Sequence, residues 1–206
     1  MEKPRLEFWF EFASTYSYIA ASRIEDLCAN AGVRLAWKPF LLGPIFALQG
    51  WNTSPFVTNP LRGAYMWRDM ERLTAKYGLR WNKPSVFPRN TILAARVAAA
   101  FEDAPWMGSY VVRAFEANFA DDADLNDEAT VRALLNGVGC DADAIVRGAL
   151  EEPLRNRIRE NTDRAIALGI MGAPNCVVDG ELFWGEETLE DAISWAITPR
   201  AIVSRA

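Results

Sequence analysis

The 206-residue sequence predicts an α/β fold: a central mixed four-stranded sheet with an inserted all-helical segment between its two halves. Three observations carry this. Residues 6–40 read strand, helix, strand, the size of one parallel βαβ unit. Residues 61–150 carry helical periodicity and little strand signal. After residue 150 the chain reads helix, two short strands and helix.

Each element has its own warrant. Residues 6–12 are aromatic-rich and compact, as in a buried strand. Ala20, Ile24, Leu27 and Ala31 then recur at helical spacing, and Gly32 stops the helix. In 33–40, Val33, Leu35 and Trp37 alternate with Arg34, Ala36 and Lys38, a second strand. Residues 41–60 hold Gly43, Pro44, Gly50, Asn52, Pro55 and Pro60, and predict a long functional loop. A helix over 61–77 sets Tyr65, Met66, Met70, Leu73 and Tyr77 towards one side and ends at Gly78. Pro84 and Pro88 mark a loop, and 91–102, 106–118, 129–136 and 143–150 read as helices. Pro153 opens a long helix through Leu168, capped by Gly169. Asn175–Val178 and Glu181–Trp184 are strands joined by a tight Asp179-Gly180 turn. Leu189, Ala192, Ile193, Ala196 and Ile197 form a closing amphipathic helix. The layout is thioredoxin-like, with 1–60 and 151–206 as the thioredoxin-like domain and 61–150 as an inserted helical domain.

Composition narrows the function. Aromatic residues at 12% and hydrophobic residues at 50% rule out a mainly disordered chain. A net charge of −5 argues against nucleic acid as partner. The chain has no histidine, which excludes Ser-His-Asp and Cys-His nucleophile systems and His-based zinc sites. Cys28, Cys140 and Cys176 are scattered, with no C-x-x-C, so neither a metal site nor a dithiol centre is expected. They read as buried apolar residues in a reducing compartment. Glu7 and Glu11 interrupt the apolar N-terminal run, so no signal-peptide core is present. Residues 39–48 are too short to span a bilayer. The expectation is a cytoplasmic protein without membrane, nucleic-acid or metal partners.

The strand 8–12 runs into Ala13-Ser14-Thr15-Tyr16-Ser17-Tyr18 and a helix. This junction resembles the S-P-x-S-[YFW] segment of kappa-class glutathione transferases and 2-hydroxychromene-2-carboxylate isomerases, in the DsbA-like branch of the thioredoxin superfamily. Four further segments are similar in order: Gly50-Trp51-Asn52-Thr53-Ser54-Pro55 to the G-N-x-P loop, Arg62-Gly63-Ala64-Tyr65-Met66 with Asp69 to the K-G-x-Y helix, Phe87-Pro88 to the F-P turn, and Gly172-Ala173-Pro174 to the turn with a cis proline. Leu182-Phe183-Trp184-Gly185-Glu186-Glu187 resembles the segment before the last helix. DsbA-type oxidoreductases hold Cys-x-x-Cys where this chain has Ser14-Thr15-Tyr16-Ser17. Without those thiols, disulfide exchange is not expected. Two positions depart from the family: Thr15 stands where proline is frequent, and Gly185-Glu186-Glu187-Thr188 keeps the carboxylate of G-[NS]-D-R but drops the arginine. Recognition of a γ-glutamyl end is shifted accordingly.

The resemblance implies glutathione as cofactor and Ser14 as the catalytic residue. A Ser hydroxyl at a helix start, with free N–H groups and the positive dipole end, can stabilise a thiolate and lower a thiol from its ordinary ~8.5. The alternative is a helix N-cap. Ala173 before a cis Pro174 would offer its backbone to the cysteinyl unit as a short strand addition, or form a plain turn. Asn52 would bond the tripeptide, or form an Asx turn. The Glu186 backbone and the Glu187 side chain would receive the γ-glutamyl end, or cap a first helical turn. Lys38, Arg62 and Tyr65 are candidates for a carboxylated or aromatic substrate, and Trp51, with Phe46 and Trp67, for an apolar wall. Asn90 reaches the substrate or caps the helix after it. Tyr16 and Tyr18 supply a hydroxyl or pack.

Three readings follow from the resemblance: a glutathione-dependent isomerase of an unsaturated aromatic carboxylate, a kappa-like transferase conjugating small electrophiles, or a thioredoxin-like binding protein without catalysis. A homodimer and a small-molecule substrate are implied as well.

Overall fold

A computed structural model describes residues 3–198. The outermost residues of the expected outer domain, 1–2 and 199–206, lie outside the described residues. The sheet is mixed and four-stranded in the order β2-β1-β3-β4. β1 (Arg5–Phe10) runs parallel to β2 (Arg34–Pro39), with Phe8 opposite Trp37, and antiparallel to β3 (Asn175–Val178), with Phe8 opposite Cys176. β4 (Glu181–Trp184) closes the far edge through Asp179 and Gly180, both at positive φ as a tight hairpin requires.

β1 is buried from Leu6 onward because both faces of the sheet are covered. Phe8 and Phe10 point into the larger core cluster, while Trp9 points the other way to Phe40, Ile45, Ala165, Ile170 and Val177. The buried Glu7 of β1 is held by two bonds from Arg164 at 2.8 and 2.9 Å.

Between β1 and β2 runs α1 (Thr15–Ala31), capped by Ser14 and ended by Gly32 at φ 69°. The stretch expected as a loop, 41–60, instead contains two short helices, α2 (Leu42–Leu48) and α3 (Pro55–Thr58). Pro44 and Pro55 sit in first turns, where a missing N–H costs no helical bond. Ser54 caps α3, and Asn59 caps α4 (Pro60–Tyr77) by accepting from Leu61 and Arg62 N–H groups. On α4, Met66 and Met70 are fully buried, but Tyr65 is 62% exposed and departs from the expected core face.

α5 (Ile92–Ala100), α6 (Met107–Phe119), α7 (Glu128–Gly137) and α8 (Ala142–Leu150) complete the middle of the chain. The long helix expected from Pro153 is divided into a 3₁₀ turn, Leu154–Asn156, and α9 (Arg157–Ala167). A second 3₁₀ turn, Glu186–Thr188, leads into α10 (Leu189–Ile197). Phe115 of α6 stands 5.1 Å from Phe12 and 5.9 Å from Tyr18 between ring centres, so one core joins the middle helices to the β1–α1 junction. Among the described residues no helix is long and apolar enough to cross a membrane.

Candidate active site

β1 delivers the chain to Ser14 at the N-terminus of α1. Extended backbone at Ser14 (φ −85°, ψ 117°) turns its hydroxyl back over the helix start. Oγ accepts from the Ser17 N–H at 3.2 Å and donates to the Ala173 C=O at 3.1 Å. The cap role and the contact with the Gly172-Ala173-Pro174 turn therefore coexist. The Ala173-Pro174 bond is cis. Pro174 C=O accepts from Gly185 N–H at 3.0 Å, tying this turn to the one before α10.

Several polar groups at the junction lack a partner among the described residues. The N–H groups of Thr15, Tyr16 and Ala173 have no hydrogen-bond acceptor among the described residues. The first two belong to the unpaired set at a helix start, where partial positive charge favours an anion. Ser17 is fully buried, and its hydroxyl also lacks a partner among the described residues.

A cavity of about 340 Å³ opens against this junction. Its walls come from the end of β1 (Glu11, Ala13), the start of α1 (Ser14, Thr15), α2 (Leu42, Gly43, Pro44, Phe46), the segment Asn52-Thr53-Ser54 with Phe56, and the stretch Phe87–Ile92. Three of the expected site residues, Ser14, Asn52 and Asn90, line it together. Asn90 also accepts from the Ile92 N–H at 3.1 Å, so it serves the start of α5 as well. Ala173 reaches the same place through Ser14.

The other expected residues are elsewhere. Lys38 is buried and ion-paired with Glu102, outside the cavity lining. Trp51 packs on Phe46 at 5.8 Å between ring centres, and it is Phe46 that lines the cavity. Arg62 and Tyr65 are exposed on α4, with the Arg72 guanidinium 5.6 Å from the Tyr65 ring. Tyr16 donates to Asp69 at 3.1 Å. Burial and the neighbouring Asp69 carboxylate push its phenol well above the ordinary range, so it stays protonated. Tyr18 packs against Phe115 and Phe119 and donates to the Arg80 C=O at 2.8 Å.

At the turn before α10, Glu186 is buried and Glu187 exposed. Glu186 pairs with Arg23 of α1 at 3.2 Å, and Arg23 also pairs with Glu190. Burial raises the Glu186 carboxyl, opposed by the Arg23 charge. A guanidinium thus stands at this turn although Thr188 replaces the expected arginine; α1 supplies it. Thr188 instead donates its hydroxyl to the Gly185 C=O at 3.1 Å.

Among the cavity residues that the sequence reading does not single out are Glu11, Thr91 and Arg89. Thr91 Oγ1 donates to Glu11 Oε1 at 2.7 Å. Arg89 is held by Asn118 at 3.1 Å and by Asp122. Glu11 carried a local signal, a carboxylate in an apolar run three residues before Ser14 in a chain without histidine. Cys28 and Cys176 are buried free thiols, pushed up by that burial, to about 12 for Cys28. Cys140 is half-buried rather than buried. Among the described residues no cluster of metal-ligating side chains occurs.

Known proteins resemble this chain over nearly its full length. The DSBA-like thioredoxin domain family model matches residues 5–194. A 2-hydroxychromene-2-carboxylate isomerase of Sphingobium xenophagum is 26% identical over 90% of this chain and 94% of its own, and one of Pseudomonas putida is 24% identical over 89% and 90%. Glutathione S-transferase kappa 1 of Caenorhabditis elegans is 36% identical over 41% of this chain and 35% of its own. Among solved structures, a 2-hydroxychromene-2-carboxylate isomerase superposes with a TM-score of 0.81 at 21% identity, covering 93% of each chain. A probable DsbA oxidoreductase of Streptomyces coelicolor superposes at 0.74 with 20% identity, over 97% of this chain and 94% of its own. These structural likenesses speak to the fold.

Proposed function

Because the chain belongs to the DSBA-like thioredoxin domain family, we propose that it is a glutathione-dependent isomerase of an unsaturated aromatic carboxylate, with Ser14 stabilising the thiolate. The observation that carries this reading is the meeting of the Ser14 hydroxyl with the Ala173 carbonyl over a cavity at the start of α1. The full-length isomerase relatives support the reaction class.

The residues present fit glutathione. The Thr15 and Tyr16 N–H groups and the Ser14 hydroxyl form a receptacle for an anionic sulfur. Ser14 keeps the Ser17 N–H as donor while its own proton turns from the Ala173 C=O to the ligand. The Ala173 C=O is then free to accept, and its N–H to donate, to the backbone of a bound peptide. Asn52 bonds the tripeptide from the α2–α3 segment, and the exposed Glu187 offers a carboxylate to the γ-glutamyl ammonium. Phe46, Phe56 and Phe87 give the second ligand an apolar wall, and Asn90 gives it a polar contact. When bound, glutathione supplies a sulfur that adds to and leaves an unsaturated carbon, so that no oxidant is consumed.

The partial match to a kappa glutathione transferase favours a second reading, conjugation of small electrophiles at the same site. Product analysis separates the two. With glutathione and an unsaturated aromatic carboxylate, an isomer formed without loss of glutathione supports the isomerase, and a stable conjugate supports the transferase. The resemblance also leads us to propose a homodimer, to be checked by light scattering.

A further inference from the structure

Glu11 follows the central strand directly and is buried, 7% exposed, yet it lines the same cavity as Ser14. Its carboxyl Oε1 accepts from Thr91 at 2.7 Å, and its backbone C=O accepts from the Ser14 N–H at 3.0 Å. Of the charged groups on the neighbouring elements, Arg89 is engaged with Asn118 and Asp122 and Lys38 with Glu102, while Arg96 of α5 has a buried Nε without a partner among the described residues and lies outside the cavity lining. Of the described residues lining the cavity, Glu11 and Arg89 are the acidic and basic ones, and an arginine does not give up its proton. With no histidine in the chain, proton exchange in this cavity near neutral pH falls to Glu11.

Resting on the thiolate reading above, we propose that Glu11 is the proton acceptor of the cavity, taking up the proton of a ligand thiol whose sulfur is received as an anion at Ser14. One S–H bond breaks and one O–H bond forms on the carboxyl. Where Glu11 is ionised beforehand the proton stays in the cavity; where it is already protonated the thiol proton passes to solvent, so near neutral pH about half is retained. The transfer is favoured because two anions in one enclosed, weakly polar space repel strongly, whereas a neutral carboxylic acid beside one anion does not. Burial raises the Glu11 carboxyl to about 7, against the pull of the Thr91 hydroxyl and the Ala13 N–H. A sizeable ionised fraction is thus available to accept at neutral pH, and the acid formed is weak enough to return the proton. Thr91 acts as a positioning residue. Its hydroxyl donates to Oε1 and fixes the carboxyl at the cavity wall.

The test counts protons. Calorimetry in buffers of different ionisation enthalpy gives the protons released per reduced glutathione bound at pH 7, for the natural protein and for Glu11→Gln. Gln keeps an oxygen for Thr91 but cannot take a proton. The variant is expected to release roughly half a proton more per ligand, and S-methylglutathione, which has no thiol proton, to show no such difference. Thiolate absorbance with equal release from both proteins would overturn the role of Glu11 alone. Absence of thiolate absorbance in both would overturn the reading of the site itself, and this proposal with it. Carboxyl-carbon NMR of Glu11 in the natural protein without ligand is independent of the variant's folding. A midpoint near neutrality supports the proposal, and one in the ordinary carboxylate range overturns it.

Discussion

Ser14 and Glu11 lie three residues apart and differ in how they are read. Ser14 announces itself locally, since strand, small polar residue and helix are contiguous, and its partner turn carries its own Ala173-Pro174 signature. Glu11 is defined by Thr91, 80 positions away, whose packing across its carboxyl no local pattern shows. Lys38 likewise has its surroundings set by a distant residue: it is buried and paired with Glu102, 64 positions away. Ser14→Ala is expected to lower turnover about 10²–10³-fold, as loss of a single anion-stabilising donor does. It also removes the α1 cap, at about 1 kcal/mol, seen as a lower melting temperature. Glu11 adds a pH dependence to stability. With a folded value near 7 against 4.5 unfolded, its contribution is fully present below about 4.5 and is lost as pH rises through about 7. Glu11→Gln should match the natural protein at pH 4 and gain on it by pH 8, by on the order of 3 kcal/mol. Urea unfolding at the two pH values checks this, and a constant difference would contradict it.

At the scale of elements, nearly every strand and helix was legible from periodicity and stop residues. The exceptions are instructive. Pro44 and Pro55 point to a loop in the sequence, but each occupies a first helical turn, where proline is tolerated, so α2 and α3 form and build one wall of the cavity. The 3₁₀ turn at Leu154–Asn156 separates Pro153 from α9, which proline chemistry alone does not foretell. α3 is seated on α4 through Gly63, where an added Cβ would come within 2.3 Å of the Phe56 carbonyl oxygen. Because that atom belongs to the backbone, Gly63→Ala must displace α3. The expected cost is about 1–3 kcal/mol. Glutathione affinity should fall with it, since Ser54 and Phe56 share that cavity wall. A thermal melt and a binding titration of the variant measure the two effects.

For the whole molecule, the order of sheet and helices was legible. What periodicity does not show is how far the middle of the chain shares its core with the sheet. Met66, Met70 and Phe115 belong to the same buried cluster as Phe8, Phe10 and Tyr18. We propose that 61–150 is an insertion in connectivity and not an independent folding unit. Joining residue 60 to 151 through a short linker is expected to give a chain without near-ultraviolet circular dichroism, and the full chain is expected to unfold in one cooperative transition. Two separated calorimetric transitions would contradict this. The central claim concerns Ser14, and titration with reduced glutathione, followed by ultraviolet thiolate absorbance in the natural protein and in Ser14→Ala, tests it most directly. Saturable thiolate absorbance near neutral pH that is lost in the variant is the expected result. Equal absorbance in both proteins, or none in the natural protein at millimolar glutathione, would contradict the account.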